Sequence, residues 1–521
     1  MTTRDTLNTL LSASASKYPK RTALVLVNDN GEETVLTYRD LQRKVRQAAA
    51  AFQSRGIKKG DTVAIIHRND PAFVVAYFGL ARLGAVAVPI NYMVKKAAEL
   101  RFMLEHCEAK GVLTQQEFLR GIMEAKKDLP GLRGVWSSDG GEQTEDFWEF
   151  IAAQKPLEAG EGVLPEDVAA VLYTSGTTGV PKGVMLTHAN LVSNADASIT
   201  AMRLRENEVA LTVLPMFHTF AWTACVLIPL RLGVKNVVIP SLTPPKPWLK
   251  AMGRHRVTIF AAVPQLYAVL ARQACGLKGL LLKYWFFRKV RIAVSGAAPL
   301  SKQTLEEFRA GFGMSIIEGY GLTETSPVAT INPLEDPRAE SVGLPIDGVQ
   351  VRIVDEGGKT LPEGGEGEIQ IRGSNIMKGY LKNPEATREA IDADGWFKTG
   401  DVGALEQGYL YIRDRIKDMI IVKGLKVFSA QVEAVMLRHP DVQEAAVIGI
   451  PGDSGDETIK GYVVLRAGAA AGKSEILSFC RENLDPYKRP RDIDILDELP
   501  KNALQKTLKR VLREQEKAKK T

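Results

Sequence analysis

The chain has 521 residues, 45% hydrophobic and 25% charged. That length and balance predict about three domain-sized units with large buried cores, and exclude collagen-like, coiled-coil, disulfide-framework and wholly disordered classes. Lysine plus arginine is 68 against 61 acidic residues, a net +7, which suits anionic ligands without demanding nucleic acid. Cys107, Cys225, Cys275 and Cys480 form no CxxC pair, so neither a zinc site nor a disulfide ladder is expected and a reducing cytosol fits.

In chain order, the N-terminal LNTLLSASAS has an apolar core too short, and interrupted by Asn8, to read as an export signal. The runs at 61–66, 85–90 and 291–296 are short and rich in Val, Ile and Ala. Their alternation with amphipathic stretches predicts α/β layers with largely parallel sheets. Two weakly charged stretches, 71–90 and 209–230, are long enough to test as membrane spans. Pro215, His218 and Pro229 punctuate the second, and Gly79, Arg82, Gly84 and Pro89 the first, which reads as a buried helix followed by a buried strand. After about Gly343 the texture becomes strand, glycine-rich turn, strand, as expected for hairpins or a small barrel. From Asp414 onward an α+β pattern is expected, ending in a basic helix.

The strongest local signal is Tyr173-Thr174-Ser175-Gly176-Thr177-Thr178-Gly179-Val180-Pro181-Lys182-Gly183, directly after an apolar run. Glycines let backbone approach a ligand, clustered amides and hydroxyls offer donors to phosphate oxygens, and Lys182 adds a cation. Pro181 stands where a Walker A loop counted from Gly176 needs glycine, so this is a different phosphate cradle. Gly468 to Ser474 is one residue too short for the same pattern and reads as an exposed loop.

Together with Tyr320-Gly321-Leu322-Thr323-Glu324, Thr399-Gly400-Asp401, Asp414-Arg415-Ile416-Lys417-Asp418 and a lysine near the C-terminus, the loop resembles the adenylate-forming superfamily of acyl-CoA synthetases, luciferases and peptide-synthetase adenylation domains. The resemblance spans the chain, with bacterial long-chain and medium-chain fatty-acid CoA ligases the nearest likeness. It implies a large N-terminal domain, 1–416, with a strand-rich, barrel-like part at about 343–414. A smaller mobile α+β domain, 417–521, would follow. It implies ATP, Mg²⁺ and coenzyme A as reaction partners: a carboxylate joins ATP to give acyl-AMP and pyrophosphate, and the thiol then displaces AMP.

The resemblance implies a role for each matched residue. Lys506, Glu324 and Thr174 are the expected catalytic residues, with Glu324 also holding the metal, a hard oxygen suited to Mg²⁺. Ser175, Gly176, Thr177, Thr178, Gly179 and Lys182 would hold phosphates. Gly296, Ala297, Ala298, Tyr320, Gly321 and Thr323 would bind the nucleotide, with the Tyr320 face and the small backbone of 296–298 against adenine. Asp401 would accept from the ribose hydroxyls, and Arg415 would add a second ribose contact or a charge near the phosphates. His218, Phe217 and Trp222 lie in an apolar segment matching the acyl pocket. Lys417 matches the hinge, and Gly424 the segment of the CoA step. Taken singly, a glutamate, a tyrosine or one lysine in a basic tail would pass for ordinary surface or core residues.

Departures qualify the likeness. Gln505 replaces the usual glycine before the catalytic lysine, Ser429 and Gln431 replace Pro and Glu after Gly424, and Asp414 replaces Gly before Arg415. The expectation is a cytoplasmic fatty-acid CoA ligase, with peripheral contact at the inner membrane face and no nucleic-acid partner. The alternatives are an aryl-acid CoA ligase, a ligase loading acyl groups onto a carrier, or a degenerate nucleotide- or lipid-binding protein without turnover.

Overall fold

The computed structural model describes residues 5–94, 96–158, 162–174, 181–274, 276–422, 425–451, 457–501 and 506–520. The chain divides into two compact units. The first comprises Met1–Ala339, Gly343–Gln350 and Ile371–Phe397, and the second Glu340–Val342, Val351–Gln370 and Lys398–Thr521.

The first unit is built on two large sheets. An eight-stranded sheet contains the parallel strands Val168–Thr174, Val86–Pro89, Thr62–Ile66, Gly111–Thr114 and Gly134–Ser137, with Lys182–Thr187 antiparallel beside Val168–Thr174. A nine-stranded sheet runs through Ile316–Gly321, Ile292–Ser295, Ile259–Ala262, Val209–Thr212, Lys235–Val238 and Thr22–Val27, again parallel. Strands in such sheets are covered on both faces, which is why they read as apolar runs rather than as alternation.

The segment 71–90 is the expected helix and strand. Asp70 caps the helix Pro71–Leu83 through the Ala72 amide, Pro71 sits in its first turn, and Gly84 ends it in the left-handed conformation at φ 73°. All thirteen residues are buried, as in a core helix. A Cβ at Gly79 would lie 2.8 Å from Ala48 Cβ, so the helix Tyr38–Ser54 approaches closely there. The segment 209–230 breaks into the strand Val209–Thr212, a turn, and a helical stretch from Thr219 with a π-helical part at Trp222–Leu227. Among the described residues no helix is long and apolar enough to cross a membrane. The N-terminal segment forms the helix Leu7–Lys17, which Thr6 caps and which buries Leu7, Leu10 and Leu11.

The strand-rich segment forms a four-stranded sheet ordered Val349–Val354, Gly367–Gly373, Phe397–Glu406 and Tyr409–Arg415. Its outer strands do not pair with each other among the described residues, so the sheet is open and the barrel expectation is corrected. Further along, a three-stranded sheet of Val442–Pro451, Glu457–Leu465 and Asp492–Ile495 packs with the helices Ser429–Met436 and Lys473–Asn483 around Val432, Met436, Ile476 and Cys480. The segment Gly468–Ser474, expected as an exposed loop, runs as a loop to Gly472 and enters that second helix at Lys473.

Candidate active site

In the first unit, the strand Ile316–Gly321 delivers the chain to a single helical turn, Thr323–Thr325, which carries Glu324. Three buried asparagines hold the surrounding backbone. Asn194 Nδ2 donates to Val328 O at 2.7 Å and Asn375 Nδ2 to Thr325 O at 3.0 Å. Asn190 Nδ2 donates to Ser374 O at 2.8 Å and Ile376 O at 2.9 Å. Met377 N donates to Glu324 O at 2.9 Å. Gly321 is fixed by space, because a Cβ there would sit 1.8 Å from Pro327 O.

Tyr380 Oη donates to Glu324 Oε1 at 3.1 Å, and Lys182 Nζ stands 5.0 Å from the Tyr380 ring centre. Burial and the Glu324 charge both push the Tyr380 hydroxyl well above its usual pKa, so it stays a donor. Lys182 is register partner to Thr174 where the two antiparallel strands meet their connection. Lys182, Tyr380 and Glu324 therefore form a chain of contacts leading from Thr174. Tyr380, 56 residues from Glu324 in sequence, and the three asparagines escape sequence reasoning. The asparagines left a faint trace, with Asn190 and Asn194 four residues apart on a helix that is otherwise largely apolar on that side. Ser175, Gly176, Thr177, Thr178 and Gly179 lie outside the described residues.

The Ser295–Ala298 loop leaves the strand Ile292–Ser295 with Ala297 at φ 70°, a conformation costly for a residue with a Cβ. Glu318 clamps it, accepting a hydrogen bond from Leu300 N at 3.1 Å. Burial pushes the Glu318 carboxyl up to about 7, although the Leu300 hydrogen bond favours the charged form. The Phe220 ring lies against Gly296, its Cζ 3.3 Å from where a Cβ would stand. Tyr320 is half-buried opposite Thr330, and Thr219 and Thr323 share a hydroxyl contact at 3.3 Å. Glu318 and Phe220 join this group beyond those the sequence singled out. An acidic residue two before Tyr320 in an apolar strand was the available signal.

On the apolar side, Phe217 meets the Tyr92 ring edge-on at 5.5 Å, and His218 Nδ1 accepts from Phe220 N at 3.2 Å. Asn69 orders the preceding backbone, donating to Leu214 O and Ile239 O and accepting from Met216 N. Trp222 is 2% exposed and packs on Tyr77 at 4.0 Å and Phe73 at 5.4 Å, a core position.

In the second unit, Asp401 and Arg415 face each other on paired strands, with Arg415 Nε 3.0 Å from Asp401 Oδ1. Gly400 turns the chain at φ 70° and Thr399 Oγ1 accepts from Asp401 N at 3.1 Å. Lys506 belongs to the same neighbourhood. Burial and then the Arg415 charge bring its ammonium down to about 8, against the opposing pull of Asp401. Lys417 is likewise lowered, by burial and by Arg415. The structure thus brings Asp401, Arg415, Lys417 and Lys506 together, while Gly424 and Gln505 lie outside the described residues.

Two of the departures are partners. Asp414 Oδ2 accepts from Ser429 Oγ at 2.8 Å and from Ala430 N at 3.3 Å, capping the helix Ser429–Met436 from outside. Lys509 Nζ donates to Ser429 Oγ at 2.7 Å and pairs with Glu433 at 2.7 Å. A glycine and a proline at these two positions could make none of the side-chain bonds.

Among the described residues no cluster of three or more His, Cys, Asp or Glu could hold a metal. A single carboxylate, Glu324, fits Mg²⁺, which keeps several waters and takes substrate phosphates as its other ligands.

Residues 11–381 match the family model of the AMP-binding enzyme, and residues 431–506 that of the AMP-binding enzyme C-terminal domain. The chain belongs to the AMP-binding enzyme family, adenylate-forming acid–thiol ligases that use ATP, Mg²⁺ and coenzyme A. It is 31% identical to a long-chain-fatty-acid–CoA ligase of Bacillus subtilis (strain 168), covering 98% of this chain and 94% of that one. Among solved structures it resembles the anthranilate CoA ligase AuaEII in complex with anthranoyl-AMP, at TM-score 0.90 and 28% identity over 99% and 98% of the two chains. It also resembles ATP-bound MatB from Rhodopseudomonas palustris, at TM-score 0.89 and 30% identity over 98% and 99%.

Proposed function

We propose that this chain is a fatty-acid CoA ligase and that its two residue clusters serve one acyl-adenylate. The observation that supports the reading is the Thr174–Lys182–Tyr380–Glu324 group, in which a threonine, a cation, a phenol and a carboxylate follow one another in contact, with Thr174 and Lys182 on paired strands. In this reading Lys182 and the loop hold phosphates, and the Ser295–Ala298 backbone with Tyr320 holds adenine. Asp401 accepts from the ribose hydroxyls, and Arg415 keeps that carboxylate oriented. Glu324 would hold Mg²⁺, which when bound offsets phosphate charge. Lys506 stabilises negative charge as the acid oxygen attacks, without transferring a proton. Rotation about Lys417 would then withdraw Lys506 and admit the thiol near Gly424.

A fatty rather than aromatic acid is favoured by the apolar surroundings of Phe217 and Phe220, where each CH₂ of an alkyl tail would contribute about 0.8 kcal/mol, whereas Trp222 belongs to the core against Tyr77 and Phe73. Peripheral contact with a membrane, in which such acids dissolve, belongs to the same proposal. The test is a screen of fatty and aromatic acids with ATP and coenzyme A, separating products by chromatography. Thioester and AMP from medium- or long-chain acids are expected. ADP, or turnover of aromatic acids alone, would overturn the proposal.

A further inference from the structure

Between Glu208 and Glu306 the chain carries thirteen lysines and arginines and no acidic residue, although the whole protein is only +7. Some of this charge is neutralised from elsewhere in the first unit: Arg231 pairs with Asp5 and Asp196, Arg254 with Glu33, and Arg291 with Glu208. Lys250, Arg288 and Lys289 are exposed.

The same stretch holds the least buried large apolar side chains of the described molecule. Gly276–Leu281 continues into a π-helical turn, Leu282–Phe286. Leu282 and Phe287 point inward at 6% and 2% exposure, whereas Leu280, Leu281, Tyr284 and Trp285 are 53%, 52%, 61% and 69% exposed. The turn is held from beneath, since a Cβ at Gly253 would lie 3.0 Å from Trp285 O. Lys283 Nζ stands 5.6 Å from the Tyr284 ring, on the rim of a surface dent of about 350 Å³ that Gly279, Leu280 and Gly311 also line.

We infer that Leu280, Leu281, Tyr284 and Trp285, flanked by Lys283, Arg288 and Lys289, dock the protein on an anionic lipid bilayer. Aromatic and aliphatic side chains standing clear of the surface enter the acyl boundary, aromatic rings favour the headgroup level, and the basic flank is drawn to anionic headgroups. Charge decides against a second copy of this chain, because two such faces repel. The inference rests on the peripheral membrane contact proposed above and gives it a surface, and vesicle binding tests it separately from the choice of acid.

The test is cosedimentation of the full chain with vesicles of phosphatidylglycerol and phosphatidylcholine, compared with phosphatidylcholine alone. Binding to the anionic vesicles is expected, at least tenfold weaker on phosphatidylcholine and weakened by salt. The triple variant Leu281→Ser, Tyr284→Ser, Trp285→Ser and the triple variant Lys283→Glu, Arg288→Glu, Lys289→Glu should each lose at least tenfold in vesicle affinity. Both should keep the wild-type melting temperature and the wild-type rate with a water-soluble acid. Failure of the wild type to bind anionic vesicles, or equal binding by the variants, overturns the inference. So does a change of oligomeric state on gel filtration with vesicle binding intact, which would assign the patch to a second copy.

Discussion

At the scale of single residues, Glu318 is the most informative group outside the recognised motifs. Its carboxyl titrates at about 7 in the folded chain against an ordinary 4.5, because burial disfavours the anion. The folded state therefore binds the proton more tightly than the unfolded state. The stability this confers is complete below about 4.5 and is lost as pH rises through 7. Glu318→Gln keeps an acceptor for Leu300 N and cannot ionise. The variant should be more stable than wild type at pH 8, by up to about 3 kcal/mol, and nearly equal at pH 4.5. Urea unfolding at the two pH values checks this, and a gain independent of pH would contradict it. Gly321 makes the complementary point, since the 1.8 Å approach to Pro327 O leaves no room for a side chain in the turn that presents Glu324.

At the scale of elements, the legible part of the fold was what local sequence controls. Apolar runs such as 61–66 and 291–296 became buried parallel strands, and 71–90 became a helix and strand, because capping at Asp70 and Gly84 is written in neighbouring residues. The open four-stranded sheet was not legible, since closure depends on pairing between strands far apart in sequence. Of the candidate site, contiguous motifs singled out Thr174 and Glu324, which the structure links through Lys182 and Tyr380. Tyr380 and Asn375 could not be found, because their partners are distant in sequence and lone tyrosines and asparagines carry no pattern. The Asp414–Ser429 pair was visible only as two unrelated departures. Its energetic content is testable: Asp414→Ala leaves Ser429 Oγ without its acceptor and the helix Ser429–Met436 without its cap. A loss of about 1–3 kcal/mol is expected in thermal or urea unfolding. Faster hydrogen exchange confined to residues near 429–436 should accompany it, whereas unchanged exchange there would mean the cap is inert.

At the scale of the whole molecule, the basic stretch and the candidate site residues are distributed over the two compact units. The basic, acid-free stretch between Glu208 and Glu306 lies within the first unit, with Glu324, Thr174 and the Phe217–Trp222 segment. Asp401, Arg415, Lys417 and Lys506 belong to the second. The proposed function gives each cluster a separable task. In the proposed function Lys506 serves adenylate formation, and the residues of the first unit serve the step with the thiol. The most direct measurement is single-turnover kinetics of Lys506→Ala in the two half-reactions. Acyl-AMP formation from ATP and acid should slow by about 10²–10³, the scale of a lost oxyanion donor, with thioester formation from supplied acyl-AMP close to wild type. Equal slowing of both half-reactions, or no slowing of the first, would contradict the assignment of Lys506 and with it the two-cluster mechanism.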